Sequence, residues 1–348
     1  MAIAFTKLLE KISRSENLLD EESSQAIRFI LNGEVSNEEI AAFLMGMRMK
    51  GQTISELTAF VQEMRSAAIP VEVNTEKAVD LCGTGGDRSG TFNISTAAMF
   101  VVAGAGIPVL KHGNRSVSSK SGSYDVLETL GAEPNLQKKQ VEALFTETGM
   151  AFMFAPNFHP ALRFVMPARR ALKIRTFFNM LGPMLNPAGV KNQLIGTFSA
   201  DAAKKMIHIL ANLQTKNAYT LHSEDGLDEI SLSAYTNIFE LKDSLSSESV
   251  RFNPETLGYN KVNITELYGG DAEQNARIIE NIMHGKATKP QRDIVELNAA
   301  FAIHLTGIAR DLDDAVKKAA KSIDSGEAAK KMNLFVKESK KIAKMVND

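Results

Sequence analysis

Gly83, Gly85 and Gly86 fall within four residues at the end of the run Asp80-Leu81-Cys82-Gly83-Thr84-Gly85-Gly86-Asp87. Glycines so placed let backbone N–H groups approach an anion. The turn opens toward a helix beginning near Asn93-Ile94-Ser95-Thr96, whose N-terminus adds a positive dipole end. That arrangement suits phosphate or pyrophosphate, although a tight strand-to-helix turn without a ligand would use the same residues. It is neither a Walker A loop, since no Gly-Lys-Ser/Thr follows, nor a dinucleotide fingerprint, whose spacing differs. A second run, from Lys111-His112-Gly113-Asn114-Arg115 to Ser121-Gly122-Ser123, places three cationic residues and five hydroxyls in thirteen positions. Both runs follow short apolar segments. If these are parallel neighbouring strands, both loops reach the carboxyl edge of one sheet and favour a phosphorylated substrate.

Asp228-Glu229 supplies two adjacent carboxylates, and Mg²⁺ is commonly held by one or two carboxylates together with substrate phosphates and waters. The alternative is an acidic turn, because Glu224 and Asp225 stand in the same loop. Residues 160–175 are basic and expected to be helical, and a planar guanidinium there is the side chain best shaped to hold a carboxylate. Arg175 and Lys173 are expected on a solvated face. The only cysteine, Cys82, has no partner for an intramolecular disulfide and reads as a small buried residue after a strand.

Positioning these residues requires two kinds of architecture. Residues 1–70 carry helical spacing throughout, as in Phe5, Leu8, Leu9 and Ile12, and Ser36 precedes Glu39 in a capping-box arrangement. They are expected to form a small α-helical domain, joined by a returning helical stretch near 165–185. Phe43, Leu44 and Met47 are either its core or a dimer seam. Residues 71–348 alternate short apolar runs with helical stretches, the pattern of an α/β domain with a mostly parallel sheet. Strands are expected at 78–81, 108–110, 150–154, 193–197 and 218–222, with helices at 96–105, 124–130, 138–148, 202–213, 272–284 and 291–306 and two more to the end. Alternation between 228 and 251, including Ile230-Ser231-Leu232-Ser233, suggests antiparallel edge strands, whereas residues 179–183 read as loop.

At 348 residues the chain exceeds the ~250–300 at which one core usually stops growing. Forty Lys and Arg against 41 Asp and Glu leave a net charge of -1, which removes the basic excess of a non-specific nucleic-acid binder. The longest apolar run, residues 97–110, contains two glycines and Pro108 and falls short of the ~20 residues a membrane helix needs. No secretory signal is visible, and a cytoplasmic location is expected.

The run from Gly83-Thr84-Gly85-Gly86-Asp87 through Asn93-Ile94-Ser95-Thr96, Lys111-His112-Gly113-Asn114-Arg115 and Ser121-Gly122-Ser123, with Asp125-Val126-Leu127-Glu128, resembles the anthranilate phosphoribosyltransferases. His159-Pro160, Arg169-Arg170, the run Asn179-Met180-Leu181-Gly182-Pro183-Met184-Leu185-Asn186, Asp228-Glu229, Gly269-Gly270-Asp271, Asn275 and Asn298-Ala299 resemble the family's later motifs in order, so the likeness covers nearly the whole chain. It implies Mg²⁺-dependent transfer of the phosphoribosyl group of phosphoribosyl pyrophosphate to the amine of anthranilate, the second step of tryptophan biosynthesis. By that resemblance Gly83, Gly86, Asp87, Thr91, Asn93, Ile94, Ser95, Thr96, Lys111, His112, Gly113, Asn114, Arg115, Ser119 and Ser123 bind phosphoribosyl pyrophosphate. Gly83, Asn114, His159 and Arg169 bind anthranilate, while Ser95, Asp228 and Glu229 hold two Mg²⁺ ions. No acid–base residue is nominated, since an aromatic amine is nucleophilic without deprotonation. The resemblance also implies a homodimer through the small domain.

Tyr124, after Ser123, stands where a small residue is expected, Ser223 replaces a glycine common after His222, and Ser233-Ala234-Tyr235-Thr236 departs from a Gly-containing turn. Two rivals are a pyrimidine-nucleoside phosphorylase, which Lys111 to Arg115 argue against, and a non-catalytic phosphoribosyl pyrophosphate-binding protein.

Overall fold

The computed structural model describes residues 4–86, 89–115, 120–246 and 249–344. The chain opens with four helices, α1 (Phe5–Ser13), α2 (Asp20–Asn32), α3 (Asn37–Lys50) and α4 (Ile54–Ser66). Two of them start in reciprocal capping boxes. Ser36 accepts from the Glu39 N–H at 3.2 Å while the Glu39 carboxylate accepts from the Ser36 N–H at 2.8 Å, and Thr53 and Glu56 repeat the pair at the head of α4. Phe43, Leu44 and Met47 are fully buried among these helices, so they are the bundle's own core.

After a linker come β1 (Val79–Gly83), α5 (Ile94–Gly104), β2 (Val109–Gly113), α6 (Ser123–Thr129), α7 (Lys138–Thr148) and β3 (Met150–Phe154). The short α8 (Ala155–Phe158), α9 (Met166–Leu172) and α10 (Phe178–Leu181) lead to β4 (Asn192–Gly196), α11 (Ala200–Asn212) and β5 (Asn217–Ser223). The chain finishes with β6 (Thr236–Lys242), β7 (Leu245–Ser246), β8 (Val250–Phe252), α12 (Ala272–Met283), α13 (Lys289–Leu305), α14 (Leu312–Asp324) and α15 (Glu327–Ala343). Among the described residues the strands form one sheet in the order β3-β2-β1-β4-β5-β6-β7, with β8 also on β6. The first five strands of that order run parallel, and β6, β7 and β8 add antiparallel pairs.

Two apolar cores result. One joins strand residues to α5, α13, α14 and α15. The other unites the helical bundle with Val165, Ala168, residues of 177–185 and the inner face of α11, so the bundle and the returning segment pack together against one helix of the α/β layer.

Three local expectations change. The basic segment is broken rather than one helix: a 3₁₀ turn covers Pro160–Phe164, α9 follows, and Lys173 at φ 52° ends it in the left-handed region. Residues 178–185 are helical, as α10 and then a 3₁₀ turn, because Asn179 accepts from the Thr176 N–H at 3.0 Å and starts the turn despite Gly182 and Pro183. Residues 230–233 are not a strand. Their alternation arises because Ile230 and Leu232 enter the core while Ser231 and Ser233 bond to Asp225.

Candidate active site

The strand order reverses between β1 and β4, and in such sheets ligands bind in the crevice beyond the carboxyl ends at that switch point. Gly83 and Gly196 end these two strands as direct register partners. A Cβ on Gly83 would overlap the Asp228 carboxylate, and one on Gly196 would overlap the Asp228 backbone carbonyl. The missing side chains therefore let Asp228 lie in the crevice. Its carboxylate accepts from the Gly85 N–H at 2.8 Å, and Glu229 accepts from the Ser95 N–H in the first turn of α5 at 3.1 Å. The amides expected to face an anion do face anionic oxygens, here those of the two carboxylates.

Lys111, His112 and Gly113 lie inside β2 rather than in the loop after it, because the strand runs three residues beyond its expected end. The Lys111 side chain is buried, and its ammonium donates to the Leu81 carbonyl and, at 3.2 Å, to Ser95 Oγ. Ser95 thus joins the cation to Glu229. The Thr96 hydroxyl beside it is buried without a hydrogen-bond partner among the described residues. Ile94 is core. Asn93 donates to the Ser121 carbonyl at 3.3 Å and accepts from Asn275 at 2.9 Å, tying the start of α5 to the loop before α6 and to α12. Thr91 pairs with Tyr268 in a single antiparallel bridge.

Asn114 accepts through its backbone carbonyl from Ser123 Oγ at 3.4 Å, closing the second loop. Arg115 is held on α6, paired with Asp125 at 2.9 Å and Glu128 at 3.4 Å and lying 3.8 Å over the ring of Tyr124. The large ring at 124 and these two acids seat the guanidinium on α6. Asp87 and Ser119 lie outside the described residues.

Arg169, half-buried on α9, lies 5.3 Å from the Phe178 ring centre and 3.9 Å from Met166 Sδ, and among the described residues it has no carboxylate partner. Burial lowers its pKa. His112 and His159 face each other with ring centres 5.1 Å apart. Each bonds to the 182–185 turn, through the backbone of Gly182 and Leu185 respectively, and each Nε2 is buried without a partner among the described residues. Burial pushes their pKa values down to about 3 and about 4, so both are neutral at pH 7. Beneath them the buried Asp80 accepts from Asn186 at 2.8 Å and from the His112 N–H at 3.3 Å. Burial raises its pKa to about 6 against the opposing pull of Lys111. Cys82 is no nucleophile, because burial and then the Asp80 charge push its thiol pKa up.

Hard oxygen donors suit Mg²⁺. Among the described residues no group of three His, Cys, Asp or Glu could cage a metal alone. The two carboxylates, already opposed to the phosphate-type amides, fit an ion completed by ligand oxygens.

The helical bundle domain of the glycosyl transferase family matches residues 6–68, and its a/b domain matches residues 75–329. Anthranilate phosphoribosyltransferase of Salinibacter ruber is 48 % identical over 336 residues, covering 96 % of this chain and 98 % of that protein. The chain belongs to the anthranilate phosphoribosyltransferase family. A second family member, from Desulforamulus reducens, is 43 % identical over 95 % of both proteins. The crystal structure of the Thermus thermophilus enzyme superimposes with a TM-score of 0.90 at 34 % identity, covering 95 % of this chain and 99 % of that one. The Saccharomyces cerevisiae enzyme in complex with PRPP and Mg shares the fold, with a TM-score of 0.89 at 24 % identity over 97 % of this chain and 98 % of its own.

Several residues that shape this site carry no motif. Gly196 ends an ordinary-looking strand and shows its purpose only opposite Gly83. Arg175, expected on a solvated face, donates to the Gly86 carbonyl and lies 4.7 Å from the Phe198 ring centre, reaching the glycine loop from the returning segment. Asp80 and Asn186 each lie in a run the sequence marks, but their meeting as a buried polar pair 106 residues apart is not marked there.

Proposed function

We propose that this chain transfers the phosphoribosyl group of phosphoribosyl pyrophosphate to the amine of anthranilate, releasing pyrophosphate, in tryptophan biosynthesis. The observation that carries the reading is the pair of contacts from Asp228 and Glu229 to the Gly85 and Ser95 amides, which sets metal-type carboxylates upon a phosphate-type cradle. Cleavage at the anomeric carbon builds positive charge on the sugar and negative charge on pyrophosphate, so leaving-group stabilisation dominates. Phosphate oxygens compete with the two carboxylates for the Gly85 amide of the glycine loop and the Ser95 amide at the head of α5, and Lys111 bonds to Ser95 beside them. Mg²⁺, when bound by Asp228, Glu229 and Ser95, supplies further neutralisation of the pyrophosphate, with two ions as the expected number.

Arg169 receives the anthranilate carboxylate, and the neutral His159 and His112 offer uncharged imidazole faces to its ring. Positioning the amine then replaces general-base catalysis. A cytoplasmic location and a homodimer through the helical bundle complete the proposal. With Phe43, Leu44 and Met47 internal, Met45 and Met49 of α3, 40 % and 77 % exposed, are left for such a seam. Among the described residues no helix is long and apolar enough to cross a membrane.

The test mixes protein, Mg²⁺, phosphoribosyl pyrophosphate and anthranilate and follows loss of anthranilate fluorescence. Fluorescence that persists while phosphate cleaves a pyrimidine nucleoside would identify a phosphorylase, and binding of phosphoribosyl pyrophosphate without turnover a sensor. Metal and phosphoribosyl pyrophosphate should raise each other's affinity by the same factor. In the double variant Asp228→Asn, Glu229→Gln, calorimetry should find that coupling lost and anthranilate affinity retained. Undiminished coupling would move the metal to another group.

A further inference from the structure

Ser223 and Thr236 are register partners on the last rung between β5 and β6, and both side chains are fully buried. The twelve residues between them contain Asp228 and Glu229. The Ser223 hydroxyl reaches the Glu229 carbonyl at 2.6 Å and the Thr236 hydroxyl at 2.6 Å. The Ser231 N–H points to both hydroxyl oxygens at 3.2 Å. One hydrogen assignment satisfies every group: Thr236 donates to Ser223, Ser223 donates to Glu229, and Ser231 donates to the pair. The backbone on both sides of Ile230 is thereby fastened. Asn298 on α13 fastens Ile230 itself, accepting from its N–H at 2.9 Å and donating to its carbonyl at 3.0 Å.

We propose that the Ser223–Thr236 hydroxyl pair is a latch of positioning residues that presets the Glu229 carboxylate for metal. The inference rests on reading Asp228 and Glu229 as the metal carboxylates. Neither hydroxyl is placed to touch substrate. A hydrogen bond to the Glu229 carbonyl fixes the peptide from which the carboxylate projects, so fewer loop conformations are lost when metal and pyrophosphate bind. Asn298 holds the same two peptide units by their other edges, through the Ile230 N–H and C=O, so the hydroxyl pair and Asn298 grip the Glu229–Ser231 backbone from opposite sides.

The experiment titrates Mg²⁺ with inorganic pyrophosphate into the full-length chain by calorimetry, alongside steady-state kinetics. Ser223→Ala and Thr236→Val should each weaken Mg²⁺-dependent pyrophosphate binding roughly tenfold, the low end for groups that orient a metal ligand. Saturating Mg²⁺ should restore kcat, and the KM for anthranilate should stay unchanged. Thr236→Ser, which keeps the hydroxyl, should bind like the parent chain. Should the alanine variant fail to fold, Ser223→Gly makes the same test. Unchanged Mg²⁺ dependence in Ser223→Ala and Thr236→Val would overturn the latch, as would equal impairment of Thr236→Ser and Thr236→Val. If Asp228→Asn with Glu229→Gln also leaves metal coupling intact, the underlying reading of the carboxylates fails instead.

Discussion

Arg169 is half-buried beside an aromatic ring and has no acid within reach among the described residues, which is what the proposed seat for the anthranilate carboxylate requires. Arg169→Ala should weaken anthranilate binding roughly ten- to hundredfold, the ~1.5–3 kcal/mol of a charge-assisted contact, while phosphoribosyl pyrophosphate binding is little changed. Titration calorimetry with each substrate checks this, with the exposed Arg170→Ala as control; equal losses for both substrates would count against the assignment. The paired histidines carry a pH signature. Their folded pKa values, about 3 and about 4, lie below the 6.5 of an unperturbed imidazole, so acid protonates them first in the unfolded chain. Their contribution to stability is complete above about pH 6.5 and is lost as pH falls toward 4. Melting temperature should therefore drop between pH 7 and 4.5, less steeply in His159→Gln, while activity shows no histidine inflection between pH 6 and 8. Assigned His112 and His159 imidazole NMR signals titrating near 6.5 would sink the argument.

At the scale of elements, the site depends on where strands stop. β2 continues through Gly113 and so draws Lys111 into the sheet, where its ammonium meets the Leu81 carbonyl and Ser95 instead of waving in a loop. β1 and β4 end together on glycines because Asp228 crosses directly above them. Gly196→Ala should be far more damaging than an ordinary Gly→Ala at a strand end, because its Cβ meets backbone, which cannot rotate away. Mg²⁺ dependence should deteriorate by more than tenfold, and circular dichroism should still report a folded chain. A variant with parental Mg²⁺ dependence would mean that Asp228 is not held where this register puts it.

For the whole molecule, the bundle and the α/β layer are joined through the segment between α9 and β4. Arg48 of α3 donates to the Arg175 carbonyl at 2.5 Å, Arg175 reaches the Gly86 carbonyl, and Arg65 of α4 donates to the Met184 carbonyl at 2.7 Å. Arg169 stands on α9 just before this segment, and the segment itself supplies the carbonyls that hold His112 and His159. Arg175→Ala should raise the KM for phosphoribosyl pyrophosphate roughly fivefold, the worth of about one hydrogen bond. The KM for anthranilate and the melting temperature should change less, since Arg175 is exposed. Steady-state kinetics with each substrate varied in turn decides the point, and a rise confined to anthranilate would separate Arg175 from the glycine loop.

Sequence alone determined what local physics can write. Helical period and capping residues marked α1 to α4, apolar runs marked the five parallel strands, and clustered glycines and hydroxyls marked the anion loops, because each signal lies within one element or its immediate flank. The carboxylates Asp228 and Glu229 were legible as a pair, but their meeting with Gly85 and Ser95 was not. Those contacts span 143 and 134 residues and exist only because β1, β4 and β5 lie side by side. Tertiary structure alone decided that Gly196 faces Gly83, that Lys111 is buried, that Arg115 is drawn to α6 by Tyr124, and that Arg175 belongs to the glycine loop. Each depends on strand register or on a side chain choosing between distant partners, and one-dimensional spacing records neither.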